Sequence, residues 1–175
     1  MKINRTLTID SKTLPLNNVR AYLYESLFII LAVSLPSVCH LLGVPVRYIL
    51  PMHWTVILAG LVYGWRGGAI SGFLSPVISF LITGMPYPIS LIPMTIELTT
   101  YGAFTGILKD NFKLNSFASI AIALITGRVI FMFSFILLNS GIDVFGYIIT
   151  AMIPGLLIGI LQIIALPFIA KIWTR

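Results

Sequence analysis

The sequence predicts an all-α integral membrane protein of six transmembrane helices, with both termini cytoplasmic and short outer loops. Three observations predict it. The 175 residues are 58% hydrophobic and only 9% charged, with a mean hydropathy of +1.04, whereas soluble domains carry about 25% charged residues. Six apolar runs approach the roughly 20 residues that a spanning helix needs. Most of the lysines and arginines fall on one side if those runs alternate across the bilayer.

The runs, in order, are 21–44, 48–64, 67–84, 88–108, 114–138 and 144–172. The polar stretch 1–20 reads as a cytoplasmic N-terminal segment, and 21–175 as a single membrane domain. No small-residue cleavage site follows the first run, so that helix is expected to stay in the mature protein. The second and third runs are short and joined by Gly64-Trp65-Arg66-Gly67-Gly68, which predicts a tight helical hairpin. Lys2, Arg5, Lys12, Arg20, Arg66, Lys109, Lys113, Lys171 and Arg175 then share one side, with Arg47 opposite and Arg128 inside the fifth helix. Positive-inside places both termini in the cytoplasm. The outward connections are 43–47, 83–88 and 139–143. Pro36, Pro51, Pro76, Pro93, Pro154 and Pro167 fall within the spans, where each can kink its helix. Glycines paired at four-residue spacing, such as Gly102 with Gly106 and Gly155 with Gly159, allow helix backbones to approach closely. One of these pairs could instead dock a partner subunit.

The net charge of +6 would suggest nucleic acid in a soluble protein. Here the basic residues flank apolar runs and orient the chain in the bilayer, so no nucleic-acid partner is expected. Cys39 cannot form an internal disulfide and reads as a packed thiol. No nucleophile motif, Walker loop or metal-ligand set is present, so neither an enzyme nor a metal or cofactor site is expected.

The informative residues are polar ones in apolar surroundings. Glu97 lies nine residues below the outer end of its run, roughly 14 Å down, and Arg128 ten residues below the outer end of the next, roughly 15 Å down. The two helices are consecutive and antiparallel, so the charges reach one level. A charge at the bilayer centre costs about 2.5–3.5 kcal/mol on insertion scales. Two readings follow. The charges form an internal ion pair that fixes two helices, or they line a polar cavity that binds a solute. The readings are compatible, because a resting pair could open to admit ligand. Arg128 would meet a carboxylate or phosphate through its planar fork, and Glu97 would accept from hydroxyl, amide or amine groups. His53, near the outer end of the second helix, is a candidate ligand contact; His40 reads as interfacial. The Gly- and Pro-rich loop 83–88, with Met85 and Tyr87, is either a lid or a rigid turn. Tyr101 and Asn139 complete the candidate substrate-binding set. Glu25 is placed to snorkel or to pair with Arg20 or a neighbour, and Gln162 to bridge helices.

His53-Trp54-Thr55-Val56-Ile57-Leu58-Ala59-Gly60, the inner turn at Gly64, Gly84-Met85-Pro86, and Glu97-Leu98 running to Tyr101-Gly102 together resemble the substrate-binding (S) components of energy-coupling factor transporters. The resemblance spans about 25 to 170 in architecture and about 48 to 108 in motif, with Thr126-Gly127-Arg128 in addition. It implies a vitamin-binding cavity in the outer half, covered by outer loops. It also implies partners, a transmembrane coupling protein and two ATPases, and a place in the prokaryotic plasma membrane. Arg128 favours a carboxylate-bearing vitamin such as pantothenate, biotin, lipoate or folate. The first helix lacks the alanine spacing through which such components dock. A non-catalytic membrane scaffold, and a membrane-embedded enzyme, are the competing classes.

Overall fold

The computed structural model describes residues 19–139 and 144–174, and every regular element in it is helical. Outside the described residues lie most of the predicted cytoplasmic segment 1–20, all of the connection 139–143 beyond Asn139, and Arg175. The side chain of Arg47 is also undescribed. The elements are α1 (Val19–Leu41), α2 (Val46–Ile49), α3 (Pro51–Thr83), α4 (Pro88–Asp110), α5 (Ser116–Leu138) and α6 (Val144–Trp173). In α1, α3, α5 and α6 the chain is long and apolar enough to cross a bilayer. α4 has the length but is less apolar, because it carries Glu97, Ser90 and four threonines.

Local sequence sets the helix ends. Pro51 lacks an amide hydrogen and opens α3 at its first turn, so the proline expected inside a span instead starts one. The residue before a proline avoids the right-handed helical region. Leu50 accordingly turns left-handed (φ 49°), splitting the four-residue α2 from α3. Gly84 closes α3 in the left-handed conformation, its N–H donating to the Phe80 carbonyl. Pro88 lies in the first turn of α4, and the Asn115 side chain caps α5 by accepting from the Ala118 N–H at 2.7 Å.

α3 has 33 residues, which would make a straight rod of about 50 Å. It is not straight. Gly64 leaves helical geometry with φ 69° and ψ −168°. His53 and Ser79, which a straight helix would separate by about 39 Å, line the same cavity. The chain therefore folds back at Gly64 into two arms, 51–63 and 65–83. The predicted five-residue turn shrinks to one residue, because a glycine at positive φ reverses direction without a Cβ clash.

α4 packs more extensively against α3 than against any other element. Cβ atoms at Gly60 or Gly68 would run into the Gly102 backbone, and one at Gly106 into Gly64 and Trp65. The absent side chains let both arms of α3 seat against α4. Val56, Ile57, Leu61, Leu98, Tyr101 and Ile120 are buried in the core. At the reversal, the Lys109 ammonium donates to the Leu61 carbonyl, in the last turn of the first arm. A cation there also suits the negative end of a helix dipole. Glu25 turns inward rather than snorkelling: it is buried on α1 and accepts from the Ser71 hydroxyl on the second arm.

Gly102→Val is expected to destabilise the fold by about 1–3 kcal/mol or more, since backbone rather than a movable side chain opposes the new atoms. Gly159→Ala, whose Cβ among the described residues meets only Leu124 Cδ1 at 3.8 Å, is expected to be neutral. Thermal unfolding of the detergent-solubilised proteins compares the two.

Candidate functional site

A cavity of about 320 Å³ is lined by α1, α2, both arms of α3, the connection after α3, α4 and α5. Its size is near the lower end for ligand pockets. α4 supplies one wall through helical spacing. Ser90, Met94 and Glu97 line the cavity at i, i+4 and i+7, and Tyr101 follows one turn below Glu97. α5 contributes Arg128 and Phe131, the first arm of α3 Met52 and His53, and the second arm Ser79. Met85, Pro86 and Tyr87 line the cavity from the loop, and Val46 and Leu50 also line it. The Met85 N–H donates to Thr83 Oγ1 at 3.2 Å, which shapes the loop as it leaves α3.

Glu97 is the polar centre. It is 2% exposed, and its Oε1 takes both an ion pair from Arg128 Nη1 at 3.1 Å and a hydrogen bond from the Tyr101 hydroxyl at 2.6 Å. Among the described residues its Oε2 has no hydrogen bond; His53 Nε2 lies 3.9 Å away, too far for one. Neither ring nitrogen of the buried His53 is hydrogen-bonded among the described residues, and its ring tilts against Tyr101 with centroids 5.5 Å apart. The Arg128 side chain is more open, at 17% exposed.

Two glycines make room for this group. The Tyr101 ring lies where a Cβ at Gly127 would project, and Arg128 Nη2 lies where a Cβ at Gly155 would project. Gly155, read in the sequence together with Gly159 as a helix-packing pair, thus also seats the guanidinium against α6.

Of the predicted binding residues, Glu97, Arg128, His53, Met85 and Tyr87 line one cavity, and Tyr101 braces Glu97 from below. Asn139 does not line it. Its amide donates to the Phe135 carbonyl at 3.1 Å and to the Ile89 carbonyl at 3.5 Å, tying the end of α5 to the start of α4. His40, read as interfacial, is a lining residue. Ser79, Ser90 and Met94 escaped the sequence reading. Their spacing from Glu97 could have revealed Ser90 and Met94, whereas Ser79 required knowing that α3 folds back. Gln162, expected to bridge helices, is buried with neither amide atom hydrogen-bonded among the described residues. An unpaired buried polar group costs about 1–3 kcal/mol.

The arrangement holds one carboxylate, one guanidinium, two imidazoles and three hydroxyls (Ser79, Tyr87 and Ser90) within otherwise apolar walls. It can grip a small molecule by directional polar contacts at one level and by dispersion elsewhere. A helical membrane protein with such a cavity has room to hold a small solute. The family model for the ECF transporter, substrate-specific component, matches residues 26–172, and the chain belongs to that family. It is thus the substrate-specific component of an ECF transporter and a multi-pass protein of the prokaryotic plasma membrane. No curated protein and no solved structure matches it.

Arg128→Ala leaves the Glu97 carboxylate buried without its cation and is expected to cost about 3–5 kcal/mol. The Arg128→Ala/Glu97→Ala double variant should lose much less than the sum of the two single variants. A double-mutant cycle on unfolding in detergent measures this coupling, and additive losses would contradict the pairing.

Proposed function

We propose that this subunit captures a carboxylate-bearing vitamin from outside the cell, in the cavity bounded by Glu97, Arg128, His53, Met85 and Tyr87. The observation that carries the reading is the position of Arg128. It lines the cavity, remains partly open, and spends only Nη1 on Glu97. The rest of its five-donor fork is left for a planar anion, which guanidinium binds best in bidentate fashion. Glu97 Oε2 and the His53 ring then face donors and acceptors on the same molecule. Tyr101 supports the carboxylate from below, and Met85 and Tyr87 close over the ligand from the loop. A purely structural ion pair would not need the hydroxyls of Ser79 and Ser90 in the same cavity walls.

In this reading the chain binds and presents substrate and is not an enzyme. Its partners are a transmembrane coupling protein and two ATPases, which hydrolyse ATP for uptake. The chain crosses the membrane six times as the single domain 21–175, with 1–20 and the C-terminus in the cytoplasm. The fold-back at Gly64 supports the count, because it turns α3 into two shorter arms. The side shared by nine of the basic residues supports the orientation.

Mass spectrometry of small molecules released from the purified protein tests the function. A stoichiometric carboxylate-bearing vitamin is expected from the wild type. Its yield should fall at least tenfold in Arg128→Gln. A neutral ligand, or full retention by Arg128→Gln, would refute the reading. Orientation is checked in a Cys39→Ser background with a membrane-impermeant maleimide. Tyr87→Cys should label from outside and Lys113→Cys only after permeabilisation.

A further inference from the structure

A second cavity, of about 350 Å³, lies between α5 and α6, and it shares Leu50, His53 and Arg128 with the first. Arg128 stands at the junction: Nη1 reaches Glu97 on one side, and Nη2 lies against Gly155 on the other. Beyond the shared residues the walls are apolar, from Ala121 and Leu124 on α5 to Ile163 on α6, with one exception. Gln162 lines this cavity, is 1% exposed, and hydrogen-bonds through neither amide atom among the described residues. A buried amide without partners is costly, and a ligand group that pairs it recovers that cost. Gln162 follows Gly155 by seven positions, which places it roughly 10 Å further along α6 than the guanidinium.

We propose that this second cavity is the far compartment of the substrate site, and that Gln162 selects substrates carrying a hydrogen-bonding group at the end opposite their carboxylate. The substrate class is an elongated acid: an anion at Arg128, an apolar middle against α5 and α6, and an amide, ureido or hydroxyl group roughly 10 Å away at Gln162. The inference rests on Arg128 binding a carboxylate. A lipid chain would also fit the apolar walls, whose rim residues Ile125, Val129, Leu156 and Ile160 are exposed. It would leave the Gln162 amide unpaired, and this favours the polar-ended acid.

Titration calorimetry of the purified full-length protein with four acids tests the inference. Biotin and pantothenate carry polar groups far from the carboxylate; lipoate and octanoate end in apolar groups. A site built around a hydrogen-bonding group rejects analogues that lack it. The wild type is expected to bind biotin or pantothenate at least tenfold more tightly than lipoate and octanoate. Gln162→Leu, which replaces an unpaired amide by an apolar side chain and should fold normally, is expected to erase that preference and leave the affinity for lipoate and octanoate intact. Equal binding of all four acids by the wild type, a preference unchanged in Gln162→Leu, or a co-purifying phospholipid that no acid displaces would each overturn the inference. If Arg128→Gln leaves the binding of every acid unchanged, the carboxylate reading falls. If none of the four binds the wild type while a co-purified carboxylate-bearing vitamin is lost in Arg128→Gln, the inference falls and the carboxylate reading stands.

Discussion

A carboxylate buried in apolar surroundings must be matched or removed, and in this protein Glu97 is matched by Arg128. Desolvating either group alone is expensive, and in a bilayer no nearby water relieves the cost. The pair holds α4 and α5 at one level, with the Tyr101 hydroxyl as a third member on the same carboxylate oxygen. Much of the surrounding sequence serves that contact. Gly127 clears space for the Tyr101 ring, and Gly155 clears space for the guanidinium. The carboxylate is buried, whereas the arginine is partly open to the cavity. That asymmetry makes Arg128 the member best placed to meet an anion.

The cavity also depends on the reversal at Gly64. Without it, His53 and Ser79 would lie at opposite ends of one long rod. With it, both arms of α3 return to the same side and supply facing walls. The reversal is stable because α4 fills the angle between the arms, with glycine against glycine at the closest approach. Lys109 then occupies a carbonyl at the end of the first arm, and Glu25 holds α1 to the second arm through Ser71. Polar groups at the reversal end of the bundle thus hold its helices together. Those at the cavity end are only partly satisfied by one another.

The helices and the central pair were legible in the sequence for a simple reason. Rise per residue is nearly constant, so counting from the proline at the start of α4 and from the end of α5 places Glu97 and Arg128 at one depth. The helix ends were legible wherever a proline or glycine set them, as at Pro88 and Gly84. Depth counting says nothing about azimuth. Asn139 sits at the end of α5, beside the start of α4, and its amide donates to the Phe135 and Ile89 carbonyls. Gln162 was read as bridging helices, and neither of its amide atoms is hydrogen-bonded among the described residues. Ser79 was invisible because its place in the cavity wall arises from tertiary reversal, which no local pattern encodes. The motif resemblance reached about 48 to 108 and 126 to 128, while the family match extends over residues 26–172.

A structure of the protein with its substrate bound tests the central claim most directly. The account predicts an anionic group of the substrate within about 3 Å of the Arg128 guanidinium, inside the cavity walled by Ser90, Met94 and His53, with Met85 and Tyr87 over it. A substrate bound elsewhere, with the Arg128 to Glu97 contact unchanged and no ligand atom near either side chain, would contradict the account and leave the pair as a purely structural strut.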